Sequence, residues 1–428
     1  MISGKFRKLS VQNWRQFSNV DLEFSDSVTI LTGRNGTGKT TILNILAQHS
    51  SYHATFLGSP SQVRDNLGRF TSGVWGDASE AVSNENSDYI GMIQYSSGER
   101  SEVRIAHTVG VNFSPTILPK VAVSVLNIPS HRRLPGYKKV DSIPTSPITR
   151  AQALNSYQKE FWSGVNGETT RTTPLTKMKE AIISMAAFGP GNSRVISNKE
   201  SLAAFEDFEH RLRQIIPENI GFQRIVVQIP DVIIETKSGR FLIDASSGGL
   251  MSLIDTTWQI TLFGQRADDF VVVIDEPENH LHPSMQREFL PALVSAFPKA
   301  QFIVATHSPF IVSSVRHAKV YAFDVKNRDE LEGAIAEDLS SVSNAVVAIP
   351  IDIADRTNAS EILQQVLGVP ITVPIWAEHE LDAVVQNYKG KEFSAEDIRA
   401  LQKDLNERGL ADFLPDVVAR AAQRNAKN

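Results

Sequence analysis

A glycine-rich loop between a predicted strand and a predicted helix constrains this chain more than any other feature. Residues 33–41 read GRNGTGKTT and match the phosphate-loop pattern G-x4-G-K-T in full. The apolar run VTIL precedes the loop, and apolar residues at helical spacing follow it. Backbone N–H groups of such a loop turn inward around phosphates, and the following helix adds its positive N-terminus. The residues expected to form this phosphate site are Gly33, Arg34, Asn35, Gly36, Thr37, Gly38, Lys39, Thr40 and Thr41.

Two other short apolar runs end in polar residues that suit phosphoryl transfer. VVVI is followed by Asp275 and Glu276, and FIVAT is followed by His307, with a helical pattern between them. This order predicts a βαβ unit whose buried parallel strands end at one edge of a sheet, where ligands bind. We expect Thr40 and Asp275 to hold Mg²⁺ and Glu276 to polarise an attacking water. Lys39 would reach the β- and γ-phosphates, and His307 would hydrogen-bond the γ-phosphate or the water.

The rest of the pattern predicts an α/β chain built on a mixed sheet. Residues 89–110 predict a hairpin and residues 121–128 another strand, which together suggest an antiparallel side sheet. Three amphipathic stretches at about 148–216 predict a helical insert. Residues 50–88 are rich in Ser, Gly and Asn, which is typical of a surface insertion. Helical patterns without companion strands predict a C-terminal helical region at about 346–428.

Composition excludes several classes of protein. The 428-residue chain has 41% hydrophobic and 21% charged residues, as an ordinary globular protein does. Its net charge of −5 gives no global positive field for a nucleic-acid backbone, so such contact would need a local basic patch. The absence of Cys excludes disulfides and thiolate metal sites, and no apolar stretch approaches the ~20 residues that span a bilayer. We therefore expect a cytoplasmic protein without a membrane partner.

Five segments in order resemble a known family. LSVQNWRQF, GRNGTGKTT, SSGG, DEPENHLHP and ATHSPF are similar to segments of the ABC-type ATPases of the SMC/RecF/OLD branch, over about residues 1–330. The resemblance implies a P-loop ABC-type ATPase head at residues 1–345, with ATP and Mg²⁺ as its cofactors. It also implies that two heads sandwich two ATP molecules, in a homodimer or a higher even-numbered oligomer.

The resemblance gives the SSGG segment a role in the partner's site. The segment comprises Ser246, Ser247, Gly248 and Gly249. In the family it faces the γ-phosphate of the ATP bound by the other subunit, through a serine hydroxyl and a helix N-terminus. Taken alone, the four residues are explained equally well by helix capping. Their position some 26 residues before Asp275 and Glu276 favours the role in the partner's site.

Three other assignments depend on the resemblance. His280 and His282 form an HxH pattern that suggests a metal site. The resemblance instead places residues 281–285 in the D-loop of the dimer interface. Arg15 has two equal interpretations, a phosphate contact or a surface charge.

The glutamine that senses Mg²⁺ in the family has no clear counterpart. Gln94 lies in the middle of a predicted strand. The loop after the strand at 121–128 offers Ser130, His131, Arg132 and Arg133 instead.

Short heads of this kind resemble the ATPases of bacterial anti-phage systems such as Septu, PARIS and some retron modules. Those ATPases act with a separate effector, often a nuclease, which would be the protein partner here. No heptad pattern encodes a long coiled-coil arm. Residues 330–428 lack the Asp-x-Asp pattern of an intrinsic nuclease, so their helices would dock a partner or simply pack on the head.

Two alternative functions remain open. A RecF-like repair ATPase would bind DNA directly, through the basic segment IPSHRRLPGYKK. That segment contains Arg132, Arg133, Lys138 and Lys139, and a solvated charged loop is the competing interpretation. A scaffold that ATP only holds together is the second alternative, and it would show no significant turnover.

Overall fold

The structure is a computed structural model that describes most of the chain. The described residues are 4–60, 70–73, 87–106, 108–130, 136–168, 170–264, 269–327, 344–352, 380–381, 383–384 and 395–410. The chain divides into two compact units, Met1–Ile362 and Leu363–Asn428. Much of the predicted surface insertion and most of the predicted C-terminal helical region lie outside the described residues. None of the described helices is long and apolar enough to cross a membrane.

The strands in chain order are β1 (Phe6–Trp14), β2 (Phe17–Glu23), β3 (Val28–Gly33), β4 (Phe56–Leu57), β5 (Ser59–Pro60), β6 (Phe70–Thr71), β7 (Ser87–Tyr95), β8 (Arg100–Ala106), β9 (Thr108–Val109), β10 (Asn112–Phe113), β11 (Thr116–Leu118), β12 (Val125–Ile128), β13 (Phe222–Gln228), β14 (Asp231–Thr236), β15 (Gly239–Leu242), β16 (Phe270–Asp275), β17 (Ala300–Ala305), β18 (Lys319–Asn327) and β19 (Asn344–Ile351). The helices are α1 (Lys39–Leu46), α2 (Arg150–Val165), α3 (Pro174–Phe188), α4 (Lys199–Ile215), α5 (Gly248–Phe263), α6 (Pro283–Ala296), α7 (Pro309–Val312) and α8 (Ala395–Glu407).

A mixed sheet of eleven described strands forms the framework, in the order β11-β8-β7-β1-β2-β19-β18-β3-β17-β16-β12. Strands β12, β16, β17, β3 and β18 run parallel, whereas β2, β1, β7, β8 and β11 are antiparallel neighbours. Strand β19 joins the two halves, since it pairs antiparallel with β18 and parallel with β2. The predicted boundary at residue 346 falls inside this strand, so the main sheet extends to Ile351.

Strand β12 differs from the prediction. Residues 121–128 were expected in the antiparallel side sheet, but β12 pairs in parallel with β16 at the opposite edge. All four residues from Val125 to Ile128 are buried. Burial on both faces is typical of a parallel strand covered by other elements, which is the physical reason for its position.

The parallel strands next to the glycine loop form the centre of the sheet. Every residue of β3, β16 and β17 is buried, as expected for strands covered on both faces. Helix α1 follows the loop and buries Ile42, Leu43, Ile45 and Leu46 in the core shared with these strands. Because β3, β16 and β17 are parallel, their carboxyl ends meet at one edge and bring distant segments of the chain together there.

The predicted helical insert consists of α2, α3 and α4. Their N-termini are capped by the side chains of Thr149, Thr173 and Asn198, each of which accepts a hydrogen bond from a backbone N–H of the first turn. Helix α4 packs on α5 through Phe208 and Trp258, whose rings are 4.9 Å apart in an edge-to-face arrangement. After the insert, β13, β14 and β15 form a separate antiparallel sheet that leads into α5.

Short strands flank the antiparallel half of the main sheet. Strand β4 pairs with β10, and β5, β6 and β9 form a three-stranded sheet. These strands include parts of the predicted insertion at 50–88 that the structure describes.

Candidate functional site

The glycine loop joins β3 to α1, as its sequence predicts. Its three glycines have positive φ angles of 126° at Gly33, 79° at Gly36 and 90° at Gly38, which other residues rarely adopt. A Cβ atom on Gly33 would lie 2.3 Å from the backbone oxygen of Phe323 in the neighbouring strand. A Cβ on Gly38 would lie 2.4 Å from the ring of Phe17. The loop therefore requires glycine at both ends.

The lysine of the loop is buried inside it. The Lys39 Nζ donates hydrogen bonds to the backbone oxygens of Gly33 at 3.0 Å and Arg34 at 2.8 Å. Burial lowers the pKa of Lys39 to about 8, although the carboxylates of Asp275 and Glu276 oppose the shift. A partly desolvated ammonium held by carbonyls is well placed to bind an anion entering the loop.

Thr40 and Asp275 meet at the edge of the sheet. The Thr40 hydroxyl donates to Asp275 Oδ2 at 2.9 Å, although 235 residues separate the two in the chain. Burial raises the pKa of Asp275 to about 6, and neighbouring Glu276 adds to this effect. The described residues hold no group of three His, Cys, Asp or Glu that could bind a metal alone. A Mg²⁺ ion at Thr40 and Asp275 would take further ligands from phosphate and water, as Mg²⁺ usually does.

Glu276 has a strained backbone and a fixed side chain. Its φ is +46°, and its N–H donates to the oxygen of Ala305 in β17 at 2.8 Å. The Asn279 amide donates to Glu276 Oε2 at 3.0 Å and to the oxygen of Ser130 at 3.3 Å. These contacts hold the Glu276 carboxylate at the edge of the sheet next to Asp275.

His307 is placed through the backbone of its own loop. Glu278 Oε1 accepts hydrogen bonds from the N–H groups of His307 at 2.7 Å and Ser308 at 3.2 Å. The Ser308 hydroxyl donates to Gln286 Oε1 at 2.5 Å, and Gln286 Nε2 donates to the oxygen of Leu281. Burial lowers the pKa of the His307 imidazole, and the positive charge of Lys39 lowers it further. The imidazole is therefore neutral at pH 7 and can accept or donate a hydrogen bond.

A cavity of about 370 Å³ brings these groups together. Its lining residues are Gln16, Asn35, Gly36, Gly38, Lys39, Thr40, Thr41, Asp275, Glu276, Ala305 and His307. The structure thus assembles the predicted lysine, threonine, carboxylates and histidine around one space. The remaining loop residues predicted for the site, Gly33, Arg34 and Thr37, form the loop behind this surface, where the backbone oxygens of Gly33 and Arg34 accept from Lys39.

Two family models match separate parts of the chain. The model described as "AAA domain" matches residues 8–109, and "AAA domain, putative AbiEii toxin, Type IV TA system" matches residues 259–313. The first match contains the glycine loop, and the second contains Asp275, Glu276 and His307. Both halves of the cavity therefore match ATPase families independently.

Curated relatives cover most of the chain at low identity. Septu protein PtuA of Bacillus thuringiensis is 22% identical over 383 residues, which cover 86% of this chain and 85% of the relative. Retron Ec83 probable ATPase of Escherichia coli is 22% identical over 398 residues, which cover 73% of this chain and 70% of the relative. The predicted resemblance to ABC-type AAA ATPases is confirmed.

Two further matches differ in extent. Septu protein PtuA of Bacillus mycoides (strain KBAB4) is 23% identical over 352 residues, covering 78% of this chain but 42% of the relative. The chain thus spans less than half the length of that relative. Among solved structures, the SMC head domain from Thermotoga maritima matches with a TM-score of 0.38 and 14% identity, covering 81% of this chain and 99% of that chain.

The serine-glycine segment lies apart from the cavity. Ser247 caps α5, and its hydroxyl accepts from the N–H of Leu250 at 3.3 Å. A Cβ on Gly249 would lie 2.9 Å from the oxygen of His280. Gly248 and His280 border a second cavity of about 680 Å³, between α5 and the helical insert. None of the four residues from Ser246 to Gly249 is among the residues that line the first cavity.

The two histidines of the HxH pattern have local backbone roles. His282 caps α6, and its Nδ1 accepts from the N–H of Ser284 at 3.3 Å. His280 has a φ of +69° in the turn before that cap. Within the part of the chain that the structure describes, neither belongs to a metal-binding group.

Arg15 lies outside the cavity, in a small aromatic cluster. Its guanidinium donates to the oxygens of Leu57 at 2.7 Å and Ser72 at 3.3 Å. It also lies 5.0 to 5.6 Å from the ring centroids of Trp14, Phe56 and Phe113. In this structure Arg15 is thus neither in contact with the glycine loop cavity nor a free surface charge.

Gln16 is a residue of the site that the sequence did not indicate. It lines the cavity, and its Nε2 would lie 2.5 Å from a Cβ on Gly38. Gln94, by contrast, pairs with Lys8 inside the sheet. Nothing in the local sequence separates Gln16 from other turn residues, because its position depends on the β1–β2 turn folding over the loop. Asn279 was also missed, although its contact with Glu276 is local, three residues along the chain.

Proposed function

We propose that this chain binds and hydrolyses ATP with Mg²⁺, dimerises on ATP and thereby regulates an effector protein. The observation that supports it most is the convergence of Lys39, the Thr40–Asp275 pair, Glu276 and His307 on one cavity. These are the positioning and charge-stabilising groups that phosphoryl transfer needs. The confirmed resemblance to ABC-type ATPases supports the same chemistry.

Each group has one task in the proposed hydrolysis. Lys39 and the loop N–H groups bind the β- and γ-phosphates. Thr40 and Asp275 would hold Mg²⁺, which would neutralise part of the phosphate charge. Glu276, held by Asn279, orients the attacking water and accepts its proton. Neutral His307 hydrogen-bonds the γ-phosphate as negative charge develops on it.

A second copy of the chain would complete the site. Ser246 and Ser247 would face the γ-phosphate bound by the partner, with the positive N-terminus of α5 behind them. Their separation from the cavity within one chain supports this arrangement, because the same chain does not bring them to its own phosphate loop. ATP would then act as the link between two heads.

A nuclease of an anti-phage system is the effector that we propose. The similarity to proteins named Septu protein PtuA and Retron Ec83 probable ATPase supports this assignment. Residues 352–428, which follow β19, form the proposed docking surface. A tagged chain purified from its native cells should carry a nuclease with it, whereas co-purification of bare DNA would favour the RecF-like alternative.

Direct DNA binding has less support from the structure. Of the basic residues assigned to it, Arg132 and Arg133 lie outside the described residues. Lys138 donates through its side chain to the oxygen of Arg171, and Lys139 lies 3.9 Å from the Asp141 carboxylate. Lys138 is therefore engaged within the protein, whereas Lys139 forms only a long surface pair.

Phosphate release tests the proposed hydrolysis. We expect Glu276→Gln to lose about 100-fold or more in turnover while still binding ATP, because it removes the base but not the phosphate contacts. Lys39→Ala should lose ATP binding itself. Glu288→Gln, at an exposed position on α6, is the matched control and should turn over like wild type. Equal turnover in wild type and Glu276→Gln would contradict hydrolysis and favour the scaffold.

Mixing two inactive variants tests the two-chain site. Lys39→Ala disables the loop, and Ser247→Arg blocks the serine segment. In a mixed dimer, the loop of the Ser247→Arg chain meets the intact serine segment of the Lys39→Ala chain. Turnover in the mixture should therefore exceed that of either variant alone, and no gain would contradict a shared site.

A further inference from the structure

A lysine is completely buried beside the serine-glycine segment. The Lys179 side chain on α3 has 0% exposure. Its Nζ donates to Asp244 Oδ2 at 2.8 Å, to Asp231 Oδ1 at 3.4 Å and to the backbone oxygen of Lys138 at 2.7 Å. The ring centroid of Tyr137 lies 5.3 Å away. Burying a charge this completely is costly, so it persists only where several partners compensate it.

Asp244 places this cluster immediately before the serines. It lies in the short 3₁₀ turn Ile243–Ala245, and its side chain is 4% exposed. Its second oxygen accepts from the N–H of Lys138 at 3.3 Å. The N–H of Ser246 donates to the oxygen of Ile243 at 3.1 Å, so the serine continues directly from the turn that Asp244 anchors.

The other partners belong to separate segments. Asp231 is the first residue of β14, and its Oδ2 accepts from the Tyr137 hydroxyl at 3.4 Å. Lys138 follows Tyr137 in the stretch before the helical insert. The Lys179 ammonium thus links α3 to three segments: the turn before Ser246, the start of β14 and the stretch that contains Lys138.

We propose that Lys179 is a positioning residue for the serine-glycine segment. It ties the helical insert to the turn that precedes Ser246 and Ser247, so these serines reach the partner's phosphate only when the insert is in place. The inference rests on the proposed function, because it assigns Lys179 to the half of the site that one chain gives to another. It requires no contact between Lys179 and nucleotide.

Replacing Lys179 should lower turnover but leave ATP affinity almost unchanged. Lys179→Met removes the ammonium at similar length, and we expect about a tenfold loss of turnover, a usual size for coupling between sites. ATP affinity of the isolated chain should change less than twofold, since the phosphate loop is intact. Lys177→Met is the matched control on the same helix, because Lys177 pairs with Glu180 instead. An equal loss in both variants, or an unchanged turnover in Lys179→Met, overturns the inference.

Loss of stability is a competing explanation with its own test. Lys179→Met leaves two carboxylates without their cation, which destabilises the fold. Adding Asp231→Asn and Asp244→Asn removes those charges and should restore the melting temperature. We expect the triple variant to keep the tenfold loss of turnover, because the tie is still missing. Recovery of full turnover with stability would overturn the positioning role.

Mixing with Lys39→Ala locates the defect. If Lys179 acts on the serine segment, the loop of the Lys179→Met chain remains usable with the serine segment of the Lys39→Ala chain. Turnover of the mixture should rise above the mean of the two variants measured separately. The pair Ser247→Arg and Lys39→Ala is the reference. If only the reference gains activity, the inference about Lys179 fails alone, whereas failure of the reference overturns the two-chain site and the inference with it.

Discussion

At the scale of single residues, burial shifts the ionisation of the groups that surround the proposed phosphate position. It lowers the pKa of Lys39 to about 8 and raises that of Asp275 to about 6. The pKa of Glu278 is raised by the same cause. Each shift favours the neutral form, so keeping these groups charged in the folded protein costs free energy. Phosphate beside Lys39 and a cation beside Asp275 would offset that cost, which links ligand binding to the stability of the fold.

His49 predicts a pH dependence of stability that is independent of the site. Burial lowers its pKa from 6.5 to about 4, while its ring contacts the Tyr95 hydroxyl at 2.9 Å and the oxygen of Leu46. Because the unfolded chain protonates this imidazole more readily, its contribution is complete above pH 6.5 and is lost as the pH falls toward 4. The loss amounts to up to about 3 kcal/mol.

Denaturant unfolding at pH 7 and pH 5 checks this contribution. His49→Gln removes the titrating group, so its free energy of unfolding should fall less than that of wild type between the two pH values. Because both proteins contain the same carboxylates, the pH dependence that the carboxylates cause cancels in the comparison. Parallel curves for the two proteins would show that His49 does not titrate as expected.

Glu278 should control turnover through the position of His307. Glu278→Ala leaves the N–H groups of His307 and Ser308 without their acceptor, at about 1–3 kcal/mol for a buried group. We expect about a tenfold loss of kcat, with ATP affinity unchanged, because the loop contacts remain. The exposed Glu288→Ala is the matched control. A loss of ATP affinity equal to the loss of kcat would rule out a role in positioning alone.

Local motifs made part of the site predictable. Lys39, Thr40, Asp275, Glu276 and His307 each lie in a short segment whose pattern indicates both a strand end and a chemistry. The cavity around them also includes side chains from other segments, such as Gln16 in the β1–β2 turn. Such residues have no pattern of their own, so only the folded chain shows them.

At the scale of elements, β12 was predicted as a strand with the wrong neighbour, and β19 was not predicted as a strand, since residues 346–428 were expected to be helical. Strands β12 and β19 both contain mostly apolar residues, which indicates burial but not the neighbour. β12 lies beside β16 and β19 lies between β2 and β18, positions fixed by how the whole sheet assembles. The helices of the insert were more predictable, because their caps and apolar spacing are local.

The glycine loop offers a matched pair of substitutions at the element scale. A Cβ at Gly36 would meet nothing within 4 Å, whereas one at Gly38 would collide with Phe17 and Gln16. Gly36→Ala should therefore cost only about 1 kcal/mol, for its left-handed backbone. Gly38→Ala should lower the melting temperature further and abolish ATP binding, because the β1–β2 turn must move. Equal effects of both variants in thermal unfolding and ATP titration would contradict the packing seen at Gly38.

At the scale of the whole molecule, the proposed catalytic groups and the serine-glycine segment border two different cavities of one head. Lys39 and Glu276 line the first cavity, while Gly248 borders the second. A closed two-fold pair of chains would let each copy complete the other's site. Hydrolysis then depends on a second copy of the chain, whereas ATP binding by the glycine loop does not.

The mass of the Glu276→Gln variant in solution, with and without ATP and Mg²⁺, tests this dependence most directly. The variant should bind ATP without hydrolysing it, so the paired state accumulates. We predict that its mass by light scattering doubles with ATP, and that adding Ser247→Arg prevents the doubling while ATP still binds. A mass that stays the same with ATP bound would contradict the account.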